Sequence, residues 1–139
     1  MLKHRTKKKA AIVSVLIIAM LCFAGVASAN SAGYNASLPA AGGHATLCQT
    51  TKGNTNAKAS NKCTSFTNSN NNWSWSWWVD NVTTGQQVTN TQVIGAPGTY
   101  SRSYTTRPAV GASVRGRGST NGLFSAAMTV KGTINFDAS

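Results

Sequence analysis

The most constraining feature of this chain is a two-residue alternation of apolar and polar side chains, which recurs in several short runs. In the run 73–79, residues 73, 75, 77 and 79 share one face of a strand, because successive strand side chains point to opposite sides. The run 124–136 alternates from Phe124 to Phe136, and Gly132 is predicted to mark a bulge in it. No segment after residue 29 shows helical periodicity. The pattern therefore predicts an all-β fold.

Polar and glycine-containing turns divide the chain into short strands. They lie at residues 51–56, 80–85, 95–98 and 119–122, and the last includes Asn121-Gly122, the strongest hairpin signal in the chain. Six or seven strands separated in this way predict a small antiparallel β-sandwich, with a small barrel as the alternative. The Ala-, Ser- and Gly-rich segment 30–43 is predicted to be a flexible lead-in, and residues 44–139 are predicted to form a single β-sandwich domain.

Residues 1–29 have the pattern of a secretory signal peptide. Five basic residues lie within the first nine positions, an apolar run follows from about residue 10 to 25, and Ala27-Ser28-Ala29 supplies small residues before a break. The apolar run is short for a membrane span, which needs about 20 apolar residues, although an uncleaved N-terminal anchor is the alternative. We expect cleavage after Ala29 and a secreted, extracellular protein, with association with the cell surface as the alternative to free release.

Charge and composition exclude most catalytic chemistry. The chain has thirteen Lys and Arg against two Asp and Glu; without the five basic residues of the leader, eight basic side chains remain and the net charge is about +6. Asp80 and Asp137 are the only carboxylates, and His44 is the only histidine after the leader. Two carboxylates and one histidine can hardly supply a catalytic carboxylate pair, a catalytic triad or a metal cage. The composition predicts a protein that is not an enzyme and has no cofactor or metal.

Two cysteines, Cys48 and Cys63, remain after the leader, and in an oxidising compartment they are predicted to form one disulfide. If they face each other across an antiparallel hairpin, the turn centre falls between Thr55 and Asn56, within the polar stretch 51–56. A loop of about 15 residues closed in this way is worth about 3 kcal/mol in chain-entropy terms.

The tryptophan cluster separates into two faces. Trp73, Trp75 and Trp77 are predicted to belong to the core, because exposing three such side chains would forfeit much of the available burial energy. Trp78 lies on the opposite face with Ser74 and Ser76, and we expect it to be exposed. An exposed tryptophan suits carbohydrate stacking or interfacial membrane contact; a contact beneath a loop is the alternative.

The basic residues predict an anionic partner. Arg102, Arg107, Arg115 and Arg117 are the candidate binding residues, together with Trp78, and Arg115 and Arg117 share a strand face on which they could pair with a phosphate. A merely solvated surface is the ordinary alternative. Outside a bacterium the anionic partners are a phospholipid surface, a teichoic polymer or a wall precursor, and nucleic acid is not expected. Tyr100, Arg102 and Tyr104 project together; we favour two core tyrosines that flank an edge arginine, and a binding strip is the alternative.

The stretch 76–92 carries a set of motifs, Val79, Asn81, Thr84-Gly85, Gln87 and Thr91-Gln92, and a glycine-containing turn and the strand Ala-Val-Gly-Ala-Ser-Val follow it. Over about half of residues 30–139 this pattern resembles the C-terminal part of the lactococcin 972-type bacteriocins, small exported β-sandwich proteins of Gram-positive bacteria. It also resembles small exported Firmicute proteins of unknown function. The first resemblance implies an antibacterial protein that engages the lipid-linked wall precursor. The chain departs from that family in length, in its two cysteines and in its tryptophan cluster.

Together these observations predict a secreted, cationic, bacteriocin-like protein that binds an anionic component of the bacterial cell envelope without catalysis. It is expected to be a monomer or to self-associate weakly. The rival hypotheses are a surface-associated structural or matrix protein of the producing cell, assembled through an exposed strand edge, and a carbohydrate-binding protein.

Overall fold

The computed structural model describes residues 30–67 and 74–139, and this part of the chain folds into nine β-strands without a helix. They are β1 (Ser31–Leu38), β2 (His44–Thr51), β3 (Lys58–Phe66), β4 (Trp75–Asn81), β5 (Gln86–Gln87), β6 (Gln92–Ile94), β7 (Gly98–Ser103), β8 (Ser113–Thr120) and β9 (Met128–Ala138). The all-β prediction is confirmed. Two of the nine strands, β5 and β6, are short and lie between the predicted turns at residues 80–85 and 95–98.

The strands form two antiparallel sheets in a β-sandwich. Sheet A has the order β1-β9-β3-β7, and sheet B has the order β2-β8-β4-β5, with β6 also paired to β4. Most connections carry the chain from one sheet to the other, so strands that follow each other in sequence are rarely neighbours. The predicted hairpins of β2 with β3 and of β8 with β9 are therefore wrong: β2 pairs with β8, and β3 and β9 pair with each other.

The segment predicted to be a flexible lead-in forms an edge strand instead. β1 pairs with β9 from Ser31 to Leu38, and its Tyr34 and Leu38 are buried. The alternation in β1 is hard to detect because alanines at positions 32 and 36 fill the other inward positions.

The core lies between the two sheets, and β4 contributes its largest side chains. Trp75, Trp77 and Val79 are fully buried, as the alternation predicts, and they pack with the fully buried Ile134 and Phe136 of β9. Trp73 lies outside the described residues. Burying a tryptophan removes about 150–250 Å² from water, worth at most about 4–6 kcal/mol, so these two side chains supply a large share of the driving force.

Glycines on β8 provide the space that these large side chains occupy. A Cβ on Gly116 would lie 2.3 Å from Cδ1 of Ile134, and a Cβ on Gly118 would lie 3.2 Å from Cζ3 of Trp75 and 3.1 Å from Cδ2 of Leu47. Between the buried Val114 and Thr120, β8 thus has a nearly flat inward surface, on which the bulky residues of β4 and β9 pack.

Candidate functional site

Three of the five predicted binding residues lie together on the outward surface of sheet B. The same alternation that buries Trp75 and Trp77 directs Trp78 and Asp80 outward. On the neighbouring strand β8, Arg117 lies opposite Trp78 and Arg115 lies opposite Asp80. We call Trp78, Asp80, Arg115 and Arg117 the outer-face cluster.

Trp78 occupies the predicted face but is not exposed. Only 8% of its surface is accessible, and the ring of His44 from β2 packs edge-on against it with the ring centroids 5.1 Å apart. In the sheet register His44 pairs with Ser119 of β8, and Ser119 pairs with Ser76 of β4. The small side chains of these two serines leave space for the contact. The prediction of an exposed stacking tryptophan is wrong, because β2 brings the histidine across β8.

Asp80 reduces the charge of the two arginines beside it. Its Oδ2 lies 3.3 Å from Nε of Arg115 and 4.0 Å from Nε of Arg117, and Arg117 also donates to Oγ1 of Thr46 at 3.4 Å. The two arginine side chains remain about a quarter to a third exposed. The cluster therefore has a net charge of +1 and keeps guanidinium surface available to an anion.

Arg102 and Arg107 do not join this cluster. Arg102 lies on β7, the edge strand of sheet A, opposite the buried Ala59, so its side chain starts on the inward side of that edge. Tyr100 and Tyr104 pack against the core on either side of it, as the sequence predicts. Arg107 is exposed in the loop after β7 and donates to the carbonyl oxygen of Thr55 at 2.9 Å.

The connection from β8 to β9 presents two large apolar side chains to solvent, and the sequence interpretation missed them. Leu123 is 80% exposed and Phe124 is 94% exposed. The alternation places Phe124 in the last strand, but β9 begins only at Met128. The adjacent Leu-Phe pair is the signal that was available, because two successive residues of a strand cannot both face the core. We call this pair the apolar tip.

Hydrogen bonds fix the base of the loop that bears the apolar tip. Gly122 has a φ of 94°, and its carbonyl oxygen accepts a hydrogen bond from Oγ of Ser125 at 2.8 Å. The carbonyl oxygen of Ser125 accepts from the backbone N–H of Ala41 at 2.8 Å, which links this loop to the β1–β2 connection. Asn121 accepts from Oγ of Ser76 at 2.6 Å and donates to Oγ of Ser74 at 2.8 Å. The base is thus tied to its neighbours while the two apolar side chains project from it.

Each of the two sheets carries a basic residue on the strand that adjoins the loop bearing the apolar tip. Arg117 precedes the end of β8 by three residues, and the exposed Lys131 follows the start of β9 by three residues. At about 3.3 Å per residue, each is about 10 Å from the strand end. No charged residue occurs between Arg117 and Lys131 in the sequence. The apolar tip therefore projects from one end of the sandwich, and each sheet carries one cation further from that end.

The other aspartate takes part in a buried ion pair at the opposite end of the sandwich. Asp137 and Lys52 have no side-chain exposure, and Nζ of Lys52 contacts Oδ1 of Asp137 directly. Backbone N–H groups of Asn30 and Gly53 donate to Oδ2 at 3.0 and 2.9 Å, and that of Asn54 donates to Oδ1 at 3.3 Å. Burial opposes the charged carboxylate, but these donors hold the pKa of Asp137 below its ordinary value. Nothing in the sequence pattern indicated this pairing.

The two cysteines are thiols in this structure. Cys48 lies on β2 of sheet B and Cys63 on β3 of sheet A, so the hairpin that the sequence suggested for them does not exist. Both side chains pack on the core side of their sheets. Burial raises the pKa of Cys48 to about 11 and also raises the pKa of Cys63, so both favour the neutral thiol. The disulfide stays a prediction, and it would join the two sheets.

Among residues 30–67 and 74–139, no three His, Cys, Asp or Glu side chains come close enough to bind a metal ion. Within the same residues no helix is long and apolar enough to cross a membrane. The outer-face cluster presents guanidinium groups, and the apolar tip presents two exposed apolar side chains.

Comparisons with known proteins give only distant similarities. No protein-family model and no curated protein sequence matches the chain, so its resemblance to the lactococcin 972-type bacteriocins stays a prediction. A crystal structure of PirA has a TM-score of 0.43 and 13% identity, over 72% of this chain and 92% of that one. A crystal structure of the Yersinia pseudotuberculosis-derived mitogen has a TM-score of 0.43 and 17% identity, over 81% of this chain and 92% of that one.

Proposed function

We propose that this chain is an exported, cationic, non-catalytic protein that docks on the anionic phospholipid surface of the bacterial cell envelope, with bacteriocin-like activity as the consequence. The observation that carries the proposal is the apolar tip, Leu123 and Phe124, together with Arg117 and Lys131 on the two sheets, each about 10 Å from the strand end that adjoins the loop bearing the tip. This arrangement matches the layers of a membrane, in which anionic head groups overlie the acyl chains.

The magnitudes are sufficient for reversible binding. Burying a large apolar side chain is worth about 1.5–3 kcal/mol, and each basic residue near an anionic surface adds about 1 kcal/mol. The apolar tip and the two basic residues together therefore contribute about 5–8 kcal/mol. That range corresponds to dissociation constants between about millimolar and micromolar. Binding of this strength is typical of a peripheral protein rather than of one inserted permanently.

Apart from Arg117, the outer-face cluster has a secondary role in this proposal. Arg115 and Arg117 add to the positive field that favours approach to an anionic surface, but Asp80 already occupies part of their donor capacity. Trp78 supports the face by packing under His44 and does not contact the partner.

The test is co-sedimentation with vesicles of phosphatidylglycerol and phosphatidylcholine, compared with vesicles of phosphatidylcholine alone. Leu123→Ser with Phe124→Ser should lower the affinity for the anionic vesicles by about 100-fold or more, as expected for losing about 3 kcal/mol or more of apolar transfer. Val93→Ser with Val110→Ser is the matched control, because these valines are also exposed, at 57% and 54%, but lie outside the apolar tip. Equal binding by the tip variant and the control would contradict the proposal.

Growth inhibition on lawns of Gram-positive bacteria is the cellular arm of the test. Inhibition that the tip variant loses supports membrane docking. If the protein does not bind vesicles and purified wall precursor relieves the inhibition, the binding partner is the wall precursor that the family resemblance implies, and not the lipid surface. Open-ended, concentration-dependent sedimentation would favour the matrix hypothesis, and quenching of tryptophan fluorescence by glycans would favour carbohydrate binding.

A further inference from the structure

The backbone nitrogen of Asn30, the residue that follows the predicted cleavage site, contacts a buried carboxylate. It lies 3.0 Å from Oδ2 of Asp137 and donates a hydrogen bond to this buried carboxylate. Asn30 immediately follows Ala29, after which the sequence predicts cleavage of the leader.

We propose that cleavage between Ala29 and Asn30 converts this nitrogen into an α-ammonium that forms an ion pair with Asp137, so that maturation strengthens the folded state. Hydrolysis by a peptidase adds water across the peptide bond: the carboxyl group stays on Ala29, and the amine of Asn30 takes up a proton. The proposal rests on the proposed export, because only an exported chain meets the peptidase that removes such a leader.

The surroundings of Asn30 favour the charged form. Its carbonyl oxygen accepts from the backbone N–H of Phe136 at 3.0 Å, and its side chain donates to the carbonyl oxygen of Thr51. The residue is thus already ordered before the charge appears, and the new ion pair costs little further entropy. Asn30 is only partly buried, so burial opposes a charge there less than it opposes the charges of Lys52 and Asp137.

Asp137 has the capacity for a second cation. Lys52 contacts Oδ1, whereas Asn30 and Gly53 donate to Oδ2, so the two positive groups would approach different oxygens. The ring of Tyr104 lies 5.4 Å from Nζ of Lys52 and adds a favourable face for cationic charge on that side.

The proposal requires cleavage of the bond between Ala29 and Asn30 and not of a neighbouring bond. A chain beginning at Ser31 lacks the donor to Asp137, and a chain beginning at Ala29 moves the charge one residue away while leaving an amide at Asn30. All nine strands lie between Ser31 and Ala138, so each of these three chains contains the whole described sandwich.

The experiment compares the urea unfolding of chains that begin at Ala29, Asn30 and Ser31, with an N-acetylated Asn30 chain as the charge control. Acetylation removes the charge and keeps one N–H donor, with an acetyl group in the place of Ala29. We expect the Asn30 chain to be the most stable, with an unfolding equilibrium constant about tenfold smaller than that of the acetylated chain. Equal constants for these two chains, within about twofold, would overturn the proposal.

A second background keeps the result interpretable if single changes at Asp137 prevent folding. In Lys52→Met with Asp137→Leu both buried charges are replaced, a change that buried pairs often tolerate, and acetylation should then have no effect. An effect of the same size in this background would show that acetylation acts elsewhere. Expression of the full 139-residue chain in a secreting Gram-positive host, followed by N-terminal mapping, must give Asn30 as the first residue. None of these measurements uses a membrane, so failure here is distinct from failure of vesicle binding.

Discussion

At the scale of single residues, the chain uses its two carboxylates in opposite ways. Asp80 lies on a partly exposed strand face between two arginines, where an ion pair contributes about 0–1 kcal/mol. Asp137 is buried with Lys52 and accepts further hydrogen bonds from backbone N–H groups. Since removal of one partner leaves the other charge buried without compensation, the same substitution has different costs at the two sites.

Asp137→Asn should therefore destabilise the protein by about 3–5 kcal/mol, whereas the matched change Asp80→Asn should cost at most about 1 kcal/mol. Urea unfolding of both variants at neutral pH measures the difference. Similar losses in the two variants would show that Lys52 finds another partner or reaches water.

Because of the same carboxylate, the free energy of unfolding of the wild-type protein should decrease at acid pH. The pKa of Asp137 is lower in the folded state than its unfolded value of about 3.9, although burial alone would raise it. Its contribution to the free energy of unfolding is therefore complete above about pH 4 and is lost as the pH falls through the folded-state pKa. In the Asp137→Asn variant this part of the acid dependence should be missing.

At the scale of strands, close approach between elements depends on glycine. A Cβ on Gly132 of β9 would lie 2.3 Å from the carbonyl oxygen of Lys62 and 2.5 Å from the hydroxyl of Tyr34, which donates to Asn61 at 2.7 Å. The pairing of β3 with β9 also shifts register next to this residue, between Cys63 and Ser65. The predicted irregularity at Gly132 is thus present, and the extra residue belongs to the opposite strand.

Gly132→Ala should destabilise the sandwich by about 1–3 kcal/mol, because the backbone oxygen of Lys62 cannot move without disturbing the β3–β9 pairing. Gly95→Ala is the control, since a Cβ there meets nothing within 4 Å, and we expect a change within about 0.5 kcal/mol. Thermal or urea unfolding of the two variants is the measurement. A neutral Gly132→Ala variant would mean that the two strands separate readily at this point.

The strands themselves were predictable because alternation is a local property, and β4 and β9 both overlap the predicted runs 73–79 and 124–136. The pairing of the strands was not predictable, because it depends on which sheet each strand joins. A turn such as Asn121-Gly122 is equally compatible with a hairpin and with a crossing between sheets, and here β8 and β9 lie in different sheets. The same limit applies to the site: the outward direction of Trp78 follows from alternation, but its cover by His44 comes from a strand distant in sequence.

At the scale of the whole molecule, the distribution of charge determines how the protein approaches a surface. Lys131 lies three residues from the start of β9, near the apolar tip, whereas Lys58 lies at the other end of sheet A, opposite Ala138 in the register. Seven residues of strand β9 separate Lys131 from Ala138, a distance of about 23 Å. This exceeds the Debye length of about 8 Å at physiological ionic strength, so a docked membrane distinguishes the two lysines.

Lys131→Glu and Lys58→Glu change the net charge equally, which makes them a matched pair for testing orientation. If the protein docks through the apolar tip, Lys131→Glu should weaken binding to anionic vesicles by about tenfold or more at physiological salt, because a repulsion replaces an attraction worth about 1 kcal/mol. Lys58→Glu should change it much less, since that position remains beyond the screened field of the surface. At an ionic strength near 0.01 M the Debye length grows to about 30 Å, and the two variants should then become more alike. Equal weakening at physiological salt would mean that the protein binds in no fixed orientation, which would exclude the apolar tip as the point of contact.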